Sequence, residues 1–264
     1  MFETYTLKQT AEKVVPKKYL RVLGSYALRA SSLLYIGKKY ECPCCGHTSR
    51  KFASYGYNTR ENVLCRWCLS LERHRGLRLY FYEKTDLFKR DIKMLHVAPE
   101  DQLQKIFKDA PNIDYLSADL DMPTAMVKMD ITDIQMPDNT FDVIVCNHVL
   151  EHIPNDHQAM SELYRVLKPN GWAILQTPMR DDAETLEDLS ITDPKELERI
   201  YGQNDHVRTY GMDKKDRLEK AGFEVVLDKY FYELDDEIIE RYRILREDIW
   251  LCKKVVNRIV AVSL

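Results

Sequence analysis

The stretch that decides the fold runs from residue 141 to residue 178, FDVIVCNHVLEHIPNDHQAMSELYRVLKPNGWAILQTP. It opens on FDVIVCN and closes on WAILQT, two short apolar runs of the kind buried on both faces of a parallel sheet. Between them Met160, Leu163, Tyr164 and Leu167 recur at helical spacing, with Asp156 as the expected cap and Pro169 as the expected stop. A strand, a helix and a second strand in this order make one crossover unit of a parallel sheet.

The alternation continues outward in both directions. Upstream, MLHVA and IDYLSAD read as strands, and Leu103, Ile106 and Phe107 mark a helix between them. Downstream, Leu218 and Ala221 mark a helix closed by Gly222. FEVVLDKYF and DIWLCKKV then read as two last strands at the sheet's edge, separated by an acidic helical stretch around Asp235 to Tyr242. The expected fold is α/β, a Rossmann-like, doubly wound sheet. The glycine-rich GxGxxG turn of a dinucleotide site is missing after MLHVA, where the chain reads PEDQ, and this disfavours NAD or FAD chemistry.

Ahead of the sheet the pattern is different. Cys42 and Cys45 form one CxxC pair and Cys65 and Cys68 another, at zinc-ribbon spacing. Four thiolates converging on Zn²⁺ leave no position for water, so the site is expected to be structural. Cys44 reads as a bystander because Cys45 keeps the CxxC geometry, and Ser70 is the expected cap of a helix that starts at Leu71.

The chain has 264 residues, enough for one or two domains at roughly 150 residues each. Its composition, 45% hydrophobic and 31% charged, excludes a disordered or collagen-like chain. The net charge of −3 conceals a split, since residues 1–93 carry 19 Lys and Arg against 8 Asp and Glu, a surplus of positive charge that the acidic remainder reverses. The start, MFETYTLKQTAEK, has no apolar core of secretory type, which together with the reduced CxxC usage points to the cytoplasm.

Residues 19–36 contain Arg21 and Arg29, too costly for a spanning helix at roughly 2.5 kcal/mol or more each. On a helical wheel Arg21, Gly24, Ser25, Arg29, Ser31 and Ser32 oppose Leu20, Leu23, Tyr26, Ala27, Ala30, Leu33 and Leu34, with Leu28 as the exception. Flanked by Lys17, Lys18, Lys38 and Lys39, the apolar side suits peripheral contact with an anionic inner membrane surface. Packing against the protein's own core or against a twin subunit in a homodimer are the alternatives. The expected organisation is an amphipathic helical segment over 1–39, a zinc ribbon with a connecting helix over 40–90 and the sheet domain over 91–264.

Taken in order, the sheet-domain segments MLHVAPE, YLSADLD, KMDITD, FDVIVCNHVLEHI, ELYRVLKPNG and WAILQTP resemble the class I S-adenosylmethionine-dependent methyltransferases. The CPCCG, LCRWCLSLERHR, SITDP, YGQNDHVRTYG and DRLEKAGF segments resemble a bacterial subgroup with an N-terminal zinc ribbon. The resemblance implies that Asp119 holds the cofactor ribose, that Asp130 accepts from the adenine amino group and that the Ile131 backbone N–H faces the ring. His96 stands where an acid is common, and Ala98, Pro99 and Glu100 replace glycines. Glu100 either meets the methionine portion of the cofactor or caps the next helix, and Asn147 joins the cofactor set at the mouth of its strand.

A sulfonium donor is reactive in itself, so catalysis needs alignment and, for a hydroxyl acceptor, a base. His148, His206 and His152 are the candidate bases, in that order, and Arg208 is the candidate substrate grip. The leading expectation is methylation, most simply O-methylation, of a small-molecule, saccharide or lipid-linked glycan acceptor. The rivals are an RNA methyltransferase that uses Arg50, Lys51, Arg60, Arg66, Arg73, Arg75 and Arg78 with Tyr55, Tyr57 and Trp67, and a non-catalytic adaptor with a degenerate fold. An overall pI near 6.2 counts against nucleic acid.

Overall fold

The computed structural model describes residues 17–56 and 59–255, and for residues 17–22 the backbone only. Tyr57 and the side chains of Leu20 and Arg21 therefore lie outside the described residues. The chain forms two compact units, residues 1–80 with 233–246 and residues 81–232 with 247–264.

The first unit opens with helix α1 (Lys17–Ser31), which tightens into a 3-10 turn at Ser32–Tyr35. Two hairpins follow. Strands β1 (Tyr40–Glu41) and β2 (Thr48–Ser49) pair antiparallel, as do β3 (Ala53–Tyr55) and β4 (Arg60–Leu64). Helix α2 (Glu72–Glu83) then leads away, and the boundary between the units falls within it.

Helix α1 has the orientation opposite to the one its pattern suggests for internal packing. Leu28, the residue that breaks the apolar stripe, packs on the cluster of Ala53, Val63, Leu64 and Leu71. Ser32 is buried, and Arg66 donates to the Ser31 hydroxyl. The stripe itself faces outward, with Leu23 61% and Leu34 71% exposed and Tyr26, Leu33 and Ile36 similarly open.

The second unit holds a seven-stranded sheet. Its parallel strands are β5 (Ile92–Val97), β6 (Ile113–Asp119), β7 (Val127–Lys128), β8 (Phe141–Cys146) and β9 (Leu167–Ile174). The edge pair β12 (Glu224–Asp228) and β13 (Ile249–Lys253) is antiparallel, giving the order β12-β13-β9-β8-β5-β6-β7. Strand β5 has β6 on one side and β8 on the other, so the winding reverses there and a crevice is expected above its carboxyl end. The apolar character of the strands follows from burial on both faces: Val143, Ile144, Val145 and Cys146 are all fully buried.

Helix α3 (Asp101–Lys108) turns Leu103 and Phe107 inward, one helical turn apart. Helix α4 (Asp156–Val166) buries Ala159, Met160, Leu163 and Val166. Its cap is Asn155, whose side chain accepts from Gln158 N at 3.2 Å, and not Asp156. Asp156 is buried and accepts instead from the Tyr210 hydroxyl at 2.7 Å. Nor does Pro169 stop this helix, which ends at Val166 and passes directly into β9, where Pro169 lies. Helix α5 (Pro194–Tyr201) and helix α6 (Lys214–Lys220) complete the layer, the latter followed by Gly222 at φ +110, a conformation that glycine adopts without strain.

The expected boundaries shift, since residues 81–90, assigned from sequence to the ribbon segment, belong to the second unit. Residues 233–246, assigned from sequence to the sheet domain, belong to the first unit. Arg75 draws them in through bonds to the carbonyls of Tyr242 at 2.6 Å and Arg243 at 2.8 Å, and Arg241 pairs with Glu41. Among the described residues no helix is long and apolar enough to cross a membrane.

Candidate active site and metal centre

In the first unit the four predicted cysteines meet. The ligand atoms of Cys42, Cys45, Cys65 and Cys68 lie within 4.8 Å of one another, with sulfur pairs at 3.6 Å (Cys42 to Cys68) and 3.8 Å (Cys45 to Cys65). A tetrahedral zinc with Zn–S near 2.3 Å places its sulfurs ~3.8 Å apart, so the cluster is compatible with Zn²⁺. Each knuckle is a tight turn that ends in a left-handed residue: Gly46 (φ +72) donates to Cys42 O and Leu69 (φ +63) to Cys65 O. Cys44 points elsewhere, with its sulfur 3.5 Å from the His74 carbonyl. Ser70 does not cap α2, because its hydroxyl lies 3.0 Å from Cys42 Sγ and 3.2 Å from Cys68 Sγ, and the Leu71 N–H goes to His74 Nδ1 instead.

Several basic and aromatic residues of this unit are engaged internally. Arg75 is buried, Arg66 lies on the Tyr35 ring at 3.8 Å, Arg60 pairs with Glu72 and Trp67 stacks on His47. Arg50, Lys51, Tyr55 and Arg60 remain exposed.

In the second unit the predicted cofactor residues fall along the carboxyl ends of β5, β6, β7 and β8. After β5 the backbone turns at Ala98 with φ +47, a left-handed conformation that glycine adopts more readily than alanine. Glu100 occupies the N-cap position of α3 without a side-chain cap, and its Oε2 accepts from Asn147 Nδ2 at 3.2 Å, bridging β5 to β8. The Asn147 Oδ1 is buried without a hydrogen bond. Asp119, half-buried at the end of β6, uses Oδ1 to hold the N–H groups of Asp121 and Met122 and lines a cleft of about 290 Å³. Asp130 is exposed and closes a local turn onto Thr132, while the Ile131 side chain is in the core.

His96 does not join this set. It is fully buried, with Nδ1 2.9 Å from the Tyr115 hydroxyl and its ring edge-on to Phe107 and Tyr115, so a ligand has no surface of it to touch.

The three candidate histidines gather around a residue that the sequence reading passed over. His148 follows β8 in a left-handed conformation (φ +55), and its Nδ1 is 3.5 Å from Glu151 Oε1. His152 Nδ1 is 3.4 Å from an Asp205 carboxylate oxygen, and the His152 and His206 rings meet edge-on at 4.6 Å. Glu151 is 1% exposed, and neither of its carboxylate oxygens has a hydrogen bond. Burial pushes its carboxyl up, but the close approach of the His148 ring, then the charges of His148 and His152, outweigh it and leave the carboxyl below the ordinary range. Burial, assisted by His152, lowers His206 and favours its neutral form. The one available signal for Glu151 was an acid set inside the apolar segment VLEHI.

Arg208 is not a substrate grip. It is 1% exposed, bonds the carbonyls of Leu150 (3.0 Å), Ile153 and Pro154 (2.9 Å), and pairs with Glu187. Its planar fork is spent on holding the turn after β8 against β11 (Arg208–Thr209), which pairs with β10 (Leu186–Glu187). Lys214, unremarked in the sequence, is fully buried, donates to Leu175 O at 2.7 Å and Thr177 Oγ1 at 2.8 Å, and lies 4.3 Å from the Trp250 ring.

Residues 93–175, which span β5 to the end of β9, match the family model of the methyltransferase domain. This is a class I, S-adenosylmethionine-dependent methyltransferase domain. The chain is similar to the sterol 24-C-methyltransferase of Kluyveromyces lactis, 30% identical over 124 residues that make up 45% of this chain and 32% of that protein. It is also similar to phosphoethanolamine N-methyltransferase 3 of Arabidopsis thaliana, 34% identical over 98 residues, 37% of this chain and 18% of that one. The chain thus spans about a third of the length of the first relatives it matches. A solved S-adenosylmethionine-dependent methyltransferase of Archaeoglobus fulgidus aligns over 69% of this chain and 94% of its own, with a TM-score of 0.45 at 16% identity.

Proposed function

We propose that the protein transfers the methyl group of S-adenosylmethionine to a hydroxyl of a small-molecule, saccharide or lipid-linked glycan acceptor. The observation that carries this reading is the row of Glu100, Asp119, Asn147 and His148 along the carboxyl ends of β5, β6 and β8, where the winding of the sheet reverses. The residues present suit the cofactor. Asp119 keeps a carboxylate oxygen for the ribose, the orphaned Asn147 Oδ1 awaits a donor, and the turn at Ala98 brings backbone close without a glycine. Bound there, the cofactor supplies an electrophilic methyl on sulfur. His148, oriented by Glu151, takes the acceptor's proton, which O-methylation requires and methylation of a free amine does not.

Calorimetry with S-adenosylmethionine tests the reading. Binding by the wild type, weakened about tenfold or more in Asp119→Ala, is expected. His148→Ala is expected to retain binding and lose turnover. No binding at millimolar cofactor leaves only the degenerate adaptor.

We further read Zn²⁺ in the cysteine cluster as structural, and the outward stripe of residues 23–36 as resting on an anionic membrane surface. The support for the membrane reading is exposed Leu23, Tyr26, Leu33, Leu34 and Ile36 beside exposed Arg29, Lys38 and Lys39, with no acid between Glu12 and Glu41. Sedimentation with vesicles rich in anionic lipid, lost in Leu33→Glu/Leu34→Glu, is the expected result. Equal sedimentation of the two proteins overturns it.

A further inference from the structure

Glu151, His152 and His206 each offer a ligand atom within 4.8 Å of the other two. We propose that these three side chains bind a divalent cation that holds and activates the acceptor hydroxyl. The role given to the cation rests on the methyltransferase reading above, while the site stands on its own geometry.

A buried carboxylate with no hydrogen bond costs several kcal/mol in order of magnitude unless something compensates it. Glu151 is such a group, since both oxygens are buried and unbonded. The Nε2 of His206, 3% exposed, is orphaned in the same way. Two unsatisfied groups of complementary ligand type thus meet at one point, the arrangement a cation's ligands require. His148 faces only one of the Glu151 oxygens, and at 3.5 Å.

The third ligand is prepared by its neighbours. His152 Nδ1 lies 3.4 Å from an Asp205 carboxylate oxygen and 3.3 Å from the Asp205 carbonyl, so a proton held there leaves Nε2 with the lone pair a metal needs. Carboxylate or carbonyl support behind a histidine ligand is the usual outer shell of such sites. The two chain segments are also clamped together. Val207 N donates to Glu151 O at 2.9 Å, and the next residue, Arg208, holds the carbonyls of Leu150, Ile153 and Pro154. The ligands are therefore set on a fixed frame.

Two imidazoles and one carboxylate form a borderline donor set, suited to Zn²⁺, Mn²⁺, Fe²⁺ or Co²⁺ more than to Mg²⁺ or Ca²⁺. Unlike the four-cysteine cluster, it leaves coordination positions open. A hydroxyl bound in one of them becomes more acidic. His148 takes its proton, the oxygen lone pair forms the new O–CH₃ bond, and the S–CH₃ electron pair returns to sulfur, which leaves S-adenosylhomocysteine and a neutral ether.

The test is titration of the full, zinc-loaded chain with Co²⁺, read by visible absorption and paired with calorimetry for S-adenosylmethionine. Expected is one Co²⁺ per chain beyond the zinc, with d–d bands and no thiolate charge-transfer band, and with affinity reduced more than about tenfold in Glu151→Gln, His206→Ala and His152→Ala. The His152 side chain is 30% exposed, so His152→Ala gives a readout even if the buried variants fail to fold. Absence of Co²⁺ binding at millimolar metal, or equal binding by wild type and His152→Ala, overturns the site. Cobalt binding without cofactor binding upholds the site and removes the methyltransferase reading. Cofactor binding without cobalt does the reverse.

Discussion

Each unit contains a buried arginine whose guanidinium is spent on backbone carbonyls, but the two are neutralised differently. Arg208 in the sheet unit has carboxylates at hand, with Glu187 paired directly and Asp156 Oδ2 at 3.8 Å. Arg75 in the ribbon unit bonds only carbonyls, those of Tyr242, Val63, Ser70 and Arg243. Burial pulls its pKa down, and the negative charge that pulls it back comes first from Cys42 and Cys44 and then from Glu72. A Zn²⁺ held by four thiolates carries a net charge of −2. On the proposal that the cluster holds Zn²⁺, its charge serves as the counter-ion of the buried arginine, a task done in the sheet unit by two acids.

The largest effect should come from breaking the ribbon side of this comparison. With Zn²⁺ in the cluster as proposed, a strong chelator is expected to remove a contribution on the order of 10 kcal/mol and to leave Arg75 buried without the charge of the metal centre. Hydrogen exchange is expected to show loss of protection over residues 40–71 while β5 and β8 keep theirs. Unchanged exchange in the knuckles would show that the cluster holds no structural metal.

Breaking the sheet side is the next test. Arg208→Met strands Glu187 and three carbonyls, and about 3–5 kcal/mol of stability in urea unfolding is expected to go with them. Arg208→Lys should rescue little, because an ammonium cannot reproduce the fork. If Arg208 gripped substrate, KM would change with stability intact.

A smaller effect sharpens the contrast between paired and unpaired buried cations. Lys214 bonds a carbonyl and a hydroxyl but no acid, and burial pushes its pKa down to about 7. The unfolded chain therefore holds one more proton than the folded chain between about pH 7 and the ordinary lysine value of about 10.4. Stability should rise with pH through that window, by at most about 1.4 kcal/mol per unit, relative to Lys214→Met. Parallel pH profiles for the two proteins would mean that Lys214 stays charged.

Periodicity and spacing made the sheet readable in advance. Strands buried on both faces are uninterrupted apolar runs, as in FDVIVC, and CxxC pairs declare their geometry. What stayed hidden depends on which side of a pattern the rest of the chain covers. The stripe on α1 was visible, but only contacts show that Leu28, and not Leu33 or Leu34, turns toward the core. Arg208 looked like a grip because a sequence does not say that carbonyls 55 and 58 residues upstream will claim its fork. Glu151 was masked by two neighbouring histidines with a stronger claim to catalysis. Asp156 and Ser70 are standard caps, and each was diverted to a tertiary partner, the Tyr210 hydroxyl and the cysteine sulfurs respectively.

The return of residues 233–246 to the ribbon unit bears on the order in which a newly made chain can fold. The four cysteines emerge from the ribosome early and can take up metal at once, yet the acceptor of the Arg75 Nε proton, Tyr242 O, lies 167 residues further on. At a synthesis rate of about 5–20 residues per second, the ribbon waits on the order of 10–30 s for its last partner. During that interval the sheet strands from Ile92 to Ile174 are made in full. The first unit to begin thus closes only after every strand of the sheet except β13 has been made, and a chain that stops short of Tyr242 would leave Arg75 unanchored.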